Sequence, residues 1–433
     1  MTHFLIDISP TFKVLAVFIL IVVALKFRIP LGLAMVAGAV AIGFWFGMRP
    51  LAIVKSLALS VVDETTLMLV LAIALILLLS ESMSRTGQLL RIVNSFRKRF
   101  SHYKLSLATF PALIGLLPMP GGAYFSAPMV ETVGKEDLSP ERKTAINHWF
   151  RHIWEYCWPL YPGVIVGSAL SDLSTGKFVL AHIPVTLITI GLGYAFLLTR
   201  LGRVAVKPAG QVDAGSHFLR EVAPITIIIV TSVVVGTAIS LAGRAFPAAR
   251  LLPDRTSLAI ALGAGVLWVW RKSGMTAKDE MDVILNKRLR VLVLTILGVM
   301  TFRQLLTDSG AVTGITESMA SRQIPMMAIS IFLPFFVGMI TGVTVAFLGT
   351  TFPILMALLA AQGLREHLVS FTVLAYCSGF IGTFLSPVHL CLILTKEYFK
   401  SDWLGIYKLL ILPSLLTIVS ALGLYFLYLR IYH

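Results

Sequence analysis

The chain is a succession of apolar stretches of about 20 residues, with its charges gathered into short clusters between them. As helix, about 20 residues span the roughly 30 Å hydrocarbon core of a bilayer. Inside that core a chain has no water to satisfy its backbone, so its hydrogen bonds close within the segment. Composition agrees with this reading: 57% of residues are hydrophobic and 13% charged, against about 25% charged in a soluble domain. A soluble globular protein, a disordered chain and a nucleic-acid-binding domain are excluded. An all-α polytopic membrane protein remains.

The stretches expected to span are 12–27, 30–48, 59–80, 146–170, 178–200, 221–243, 256–271, 289–307, 368–394 and 405–430. Two more are interrupted: 105–133 at Pro118, Pro120, Gly121 and Gly122, and 327–360 near Thr341, Gly342 and Thr344. Their pieces are too short to cross and read as re-entrant hairpins, leaving about ten crossings. The net charge of +15 comes from 36 basic and 21 acidic residues. With the cluster from Arg85 to Lys104 on the inner side, alternation places more than two thirds of the basic residues inside, as the positive-inside rule requires. Both termini then face outward, as in a multi-pass protein of a bacterial plasma membrane. The first residues lack a basic region and a cleavage site, so the first stretch is expected to be retained. Cys157, Cys377 and Cys391 lie in apolar segments at no disulfide or zinc spacing.

The interrupted stretches match each other. Gly87, Pro111 and Gly115 reappear as Gly310, Pro334 and Gly338, and Trp158-Pro159 resembles Ser386-Pro387. Each half reads as three helices, a hairpin, a broken helix and a helix: 1–200 and 221–433, joined by a polar inner linker, 201–220. Five crossings per half invert the second half relative to the first, the plan of secondary transporters.

Four constellations carry candidate chemistry. In the first hairpin, Pro120, Gly121, Gly122 and Ser126 surround a break after which a new helix begins, so free N–H groups can cradle an anion. In the second, Thr341, Gly342, Thr344, Gly349, Thr350 and Thr351 offer hydroxyls and unwound carbonyls to Na⁺ or a carboxylate; hydroxyls bonded back to their own helix are the plain alternative. The run 147–163 places His148, Arg151, His152 and Glu155 on one helix face, before the breaks signalled by Pro159, Tyr161 and Pro162. Ionisable groups within a span mark a pathway, and Glu155 is the candidate for carrying a proton; a place at headgroup depth is the alternative for His148 and Arg151. In 376–389, Gly379, Gly382 and Pro387 are expected to unwind the helix, with Thr383, Ser386 and His389 supplying donors and acceptors. No zinc-protease spacing occurs, so no metal is expected beyond a possible Na⁺ near Thr341, Thr344 and Thr383.

Pro118, Met119, Pro120, Gly121 and Gly122, followed by Asn147, Trp149, Phe150, Arg151, His152, Trp154, Glu155 and Tyr156 and by Trp158 to Gly163, resemble an uncharacterised integral-membrane family, domain of unknown function 401, over most of the chain. That family resembles the ion transporter superfamily, with its gluconate permeases and divalent-anion/sodium symporters. The resemblance implies a scaffold domain and a mobile domain in each protomer of a homodimer, with opposed hairpins, broken helices holding solute and coupling ion, and an elevator motion. The Ser-Asn-Thr tips of the divalent-anion symporters are absent, so sodium coupling and dicarboxylate specificity do not carry over. The expected function is secondary active transport of a small organic anion, a carboxylate, coupled to H⁺ or Na⁺, without a cofactor, a nucleic-acid partner or enzymatic activity. An exporter or antiporter, a non-transporting scaffold and, last, a membrane-embedded enzyme are the alternatives.

Overall fold

The computed structural model describes residues 9–27, 29–88, 91–92, 102–116, 118, 122–134, 137–199, 201, 218–245, 256–314 and 325–431. Four helices come first: α1 (Pro10–Lys26), α2 (Leu31–Trp45), α3 (Pro50–Val62) and α4 (Glu64–Arg85). A broken pair follows, α5 (Tyr103–Gly115) and α6 (Ala123–Gly134), then α7 (Pro140–His152), α8 (Pro162–Leu170) and α9 (Thr175–Gly193). Four more are α10 (Phe218–Ala245), α11 (Thr256–Ser273), α12 (Ala277–Ile284) and α13 (Lys287–Asp308). The second broken pair, α14 (Met326–Thr341) and α15 (Thr344–Ala361), precedes α16 (Leu368–Leu385), α17 (Leu390–Phe399) and α18 (Trp403–Ile431).

The ends of these helices follow local chemistry. Pro10, Pro50, Pro140 and Pro162 stand in first turns, where the missing N–H has no partner to lose. Asp63 caps α4 by accepting from the Thr66 N–H at 3.0 Å. That cap moves the start of the span expected over 59–80: the spanning helix is α4, Glu64–Arg85, and residues 59–62 belong to α3. Gly87 and Gly310 follow α4 and α13 with φ of 66° and 73°, the left-handed turn that ends a helix.

Seven helical stretches among the described residues are long and apolar enough to cross a bilayer, while α1, α2, α3 and α14 are shorter apolar helices. Burial separates the long ones. In Arg365–Phe399, 94% of the most apolar window is buried in protein, against 11% in Glu221–Ala242. The first forms the centre; the second leaves most of its side chains exposed. Leu51, Leu180, Val233, Leu187 and Val419, all at least 61% exposed, belong to the same outer surface.

The helices pack in two groups. In one, α2 lies on α13, α4 on α11, α1 on α2, and α10 on α11; α3 touches α13 and α12 touches α4. In the other, α5 lies on α7, α14 on α16, α6 on α17, and α15 on α8, with α9 and α18 against each other. The groups meet through α4 with α8, α13 with α15 and α1 with α14.

Candidate functional site at the helix breaks

α7 is capped by Ser139, whose Oγ accepts from the Arg142 N–H at 3.3 Å. Although its sequence is polar, every residue from Lys143 to His152 is buried. Such burial requires partners, and the neighbouring helices supply them. Thr144 meets Ser401 at 2.7 Å, Asn147 donates to Thr395 at 3.2 Å, and Trp149 donates to the Thr189 carbonyl at 2.9 Å. After a 3₁₀ turn over Ile153–Tyr156 the chain leaves helical geometry until Pro162. Pro159 stands in this gap, where its missing N–H removes a would-be helix bond.

The second break covers 386–389. It is shorter than expected and corrects one assignment: Gly379 and Gly382 lie inside continuous α16. Their role there is close packing, since a side chain at Gly382 would strike the Phe335 carbonyl of α14 and one at Gly379 the Phe347 ring.

Each hairpin docks on a break. The turn of the second hairpin is Gly342, with φ of 63°, a conformation that favours glycine. Ser386 donates to the Met339 carbonyl at 2.6 Å, and His389 Nδ1 lies 2.9 Å from the Gly342 carbonyl. In the first hairpin, Tyr161 donates to the Gly115 carbonyl, and the Arg151 guanidinium lies over Gly122. A Cβ there would be 2.5 Å from Nη2 and 2.7 Å from Cζ. Pro120 and Gly121, the other candidate residues of this tip, lie outside the described residues.

The starts of four helices therefore gather around one buried region. Gly122 at the start of α6 meets Arg151, and Gly163 at the start of α8 faces Thr344 at the start of α15. His389 caps α17. Three histidines stand at the same place: the candidate ligand atoms of His148, His152 and His389 all lie within 4.8 Å of one another. Glu155 Oε1 is 3.7 Å from His152 Nε2, and Tyr376 donates to the Glu155 carbonyl at 2.8 Å. Cys391 lies beside Arg151, His152 and His389.

Other predicted hydroxyls bond within their own helices. Thr341, Thr350, Thr351 and Thr383 donate to carbonyls four residues back at 2.7–3.1 Å, and Ser126 reaches the Gly122 carbonyl at 3.4 Å. Those protons are committed to their own helices. Gly349 instead accommodates Val299 of α13. Sequence reasoning gave His148 and Cys391 no firm role. The i, i+4 spacing of His148 and His152 was one signal, but His389 is 237 residues from His152, and no local motif joins them.

Beside the first tip a cavity of about 780 Å³ opens between α4, the start of α13 and Pro118 and Phe125 of the hairpin; Ser80, Glu81, Asn286, Lys287 and Arg288 give it polar walls. That volume suits a small organic molecule.

The described residues form a multi-pass helical membrane protein with ionisable residues buried where its helices break. The chain belongs to the family described as Protein of unknown function (DUF401), whose model matches residues 11–428. No curated protein matches it in sequence. Among solved structures, the YdaH transporter of Alcanivorax borkumensis, whose topology is described as unusual, is similar with a TM-score of 0.61 at 14% identity, over 87% of this chain and 88% of that one. At that identity the likeness is one of fold.

Proposed function

We propose that the protein is a secondary active transporter of a small organic anion, a carboxylate, coupled to H⁺ or Na⁺. The observation that carries this reading is the buried Arg151 guanidinium beneath Gly122, at the point where the starts of α6, α8, α15 and α17 gather. Helix starts bear partial positive charge and free N–H groups, and a guanidinium binds carboxylate through two parallel hydrogen bonds. Glu155 is the group placed to exchange a proton.

An inverted repeat with an elevator motion, as in the ion transporter superfamily, is the mechanism we favour. Several observations support it. Exchanging the halves maps α5 on α7 to α14 on α16, α6 on α17 to α15 on α8, and α2 on α13 to α11 on α4. Gly87 and Gly310 share a left-handed turn. Gly115 sits against the Arg151 carbonyl as Gly338 sits against the Gly379 carbonyl. Tyr161 and His389 each reach the hairpin of their own half. Few helix contacts join the two packing groups, so the hairpin group is suited to slide on the other. A homodimer joined through the outer group completes the proposal.

Counterflow in proteoliposomes across a panel of carboxylates, with imposed Na⁺ or pH gradients, tests it. Exchange of labelled solute without covalent change is expected. Product formation without flux refutes transport, and flux confined to cations or neutral solutes refutes the anion.

A further inference from the structure

The three buried histidines have a hydrogen-bonding pattern that transport of an anion does not require. Each ring has one nitrogen against a main-chain carbonyl: His148 Nε2 with Phe384 at 2.9 Å, His152 Nδ1 with His148 at 2.5 Å, and His389 Nδ1 with Gly342 at 2.9 Å. A carbonyl oxygen only accepts, so each of those nitrogens carries the proton. In a neutral imidazole the other nitrogen then holds a lone pair. For His148 that is Nδ1, which is buried without a hydrogen-bond partner. For His152 and His389 it is Nε2, and these two nitrogens face each other at 3.2 Å.

Two lone pairs pointed at each other across that distance repel unless a cation lies between them. Histidine–zinc bonds are about 2.0–2.1 Å and tetrahedral, so adjacent ligand nitrogens stand about 3.3–3.4 Å apart. The observed separation fits that edge. The carbonyls behind the rings act as the outer partners that metal-bound histidines have, fixing tautomer and orientation. Glu155 Oε1, 3.7 Å from His152 Nε2, is within a small side-chain shift of a fourth position. All three histidines are 9% exposed or less.

We propose that His148, His152 and His389 form a binding site for a divalent transition-metal ion of the zinc class. Imidazole donors favour Zn²⁺, Ni²⁺ or Cu²⁺ over Mg²⁺ or Ca²⁺. The ligands come from both sides of the fold: His148 and His152 from α7, and His389 from the break that holds the second hairpin through Gly342. A bound ion therefore ties the first broken helix to the second hairpin. This site stands on the histidine geometry alone and survives a change in the transported solute.

Full-length protein purified with a histidine-free tag in metal-free buffer is titrated with Co²⁺ and then with Zn²⁺. We expect one ion per chain, tetrahedral d–d absorption that Zn²⁺ bleaches, and a rise in thermal midpoint with Zn²⁺. His389→Gln and His152→Gln keep a side-chain donor for the carbonyl but lose the ring ligand. Each is expected to bind at least about 100-fold more weakly while eluting as the wild type does. Wild-type protein that takes up no Co²⁺ or Zn²⁺ overturns the proposal and leaves a proton between His152 and His389. Undiminished binding by both variants overturns it as well, by placing the ion elsewhere. Neither result depends on flux, so the transport reading is tested separately.

Discussion

Gly122→Val probes the contact on which the anion site depends. A Cβ built on Gly122 falls 2.5 Å from Nη2 and 2.7 Å from both Cζ and Nη1 of Arg151, where ordinary contact begins at 3.4 Å. The substitution acts through this clash. Arg151 is 3% exposed and has no solvent to retreat into. The guanidinium must withdraw by roughly 1 Å within a close-packed interior, and valine's two further methyl groups occupy the space above it. A hydrogen bond to a charged group contributes about 1.5–3 kcal/mol, and each 1.4 kcal/mol is a factor of ten. Losing one such bond to the solute therefore weakens binding roughly 10- to 150-fold. The assay is half-saturation of counterflow, paired with solute-induced thermal stabilisation of the purified variant, whose monodisperse elution shows that it is folded. Arg151→Lys keeps the charge without the planar fork and is expected to fall in the same range. Wild-type affinity and rate in both variants would remove Arg151 and the first hairpin tip from the solute site.

Glu155→Gln removes a titrating group beside His152 without changing shape; flattening of the pH dependence of uptake is expected, and an unchanged profile assigns coupling to Na⁺ or to another acid. Gly382→Ala places a methyl group against the Phe335 carbonyl, where neither backbone can yield easily; destabilisation of about 1–3 kcal/mol is expected as a lower thermal midpoint in detergent, and an unshifted midpoint contradicts the packing of α14 on α16. Asp172→Asn breaks an exposed ion pair with Arg303 at 2.7 Å but keeps a residue tolerant of the left-handed φ of 54°. Its thermal midpoint should stay near wild type, since such pairs contribute about 0–1 kcal/mol; a loss as large as that of Gly382→Ala would show the pair to be structural.

Much of the architecture is legible in local sequence because local chemistry sets it. Pro118 and Gly122, Gly342, Pro159 and Pro162, and Pro387 each stand in or beside a helix interruption. A proline lacks a donor and a turn with positive φ favours glycine wherever the rest of the chain lies. Asp63 acts in the same local way, by capping α4 within the apolar run. An uninterrupted hydropathy pattern does not reveal that a short helix, α3, ends inside the run and a spanning helix, α4, begins. Glycines inside α16 misled for a related reason. Gly379 and Gly382 look like unwinding residues in sequence, whereas their purpose is set by Phe347 and Phe335 on other helices.

Local sequence suffices for a membrane-embedded helical chain, the places where its helices fail, and ionisable groups near those places. These properties follow from apolar length, proline, glycine and the high cost of a charge in hydrocarbon. Helix packing sets that His389 faces His152 and that Gly122 lies over Arg151, and the folded helices show the threonine hydroxyls turned back on themselves. Contacts between separate helices depend on how helix surfaces fit together, and packing of that kind leaves no periodic trace along the chain.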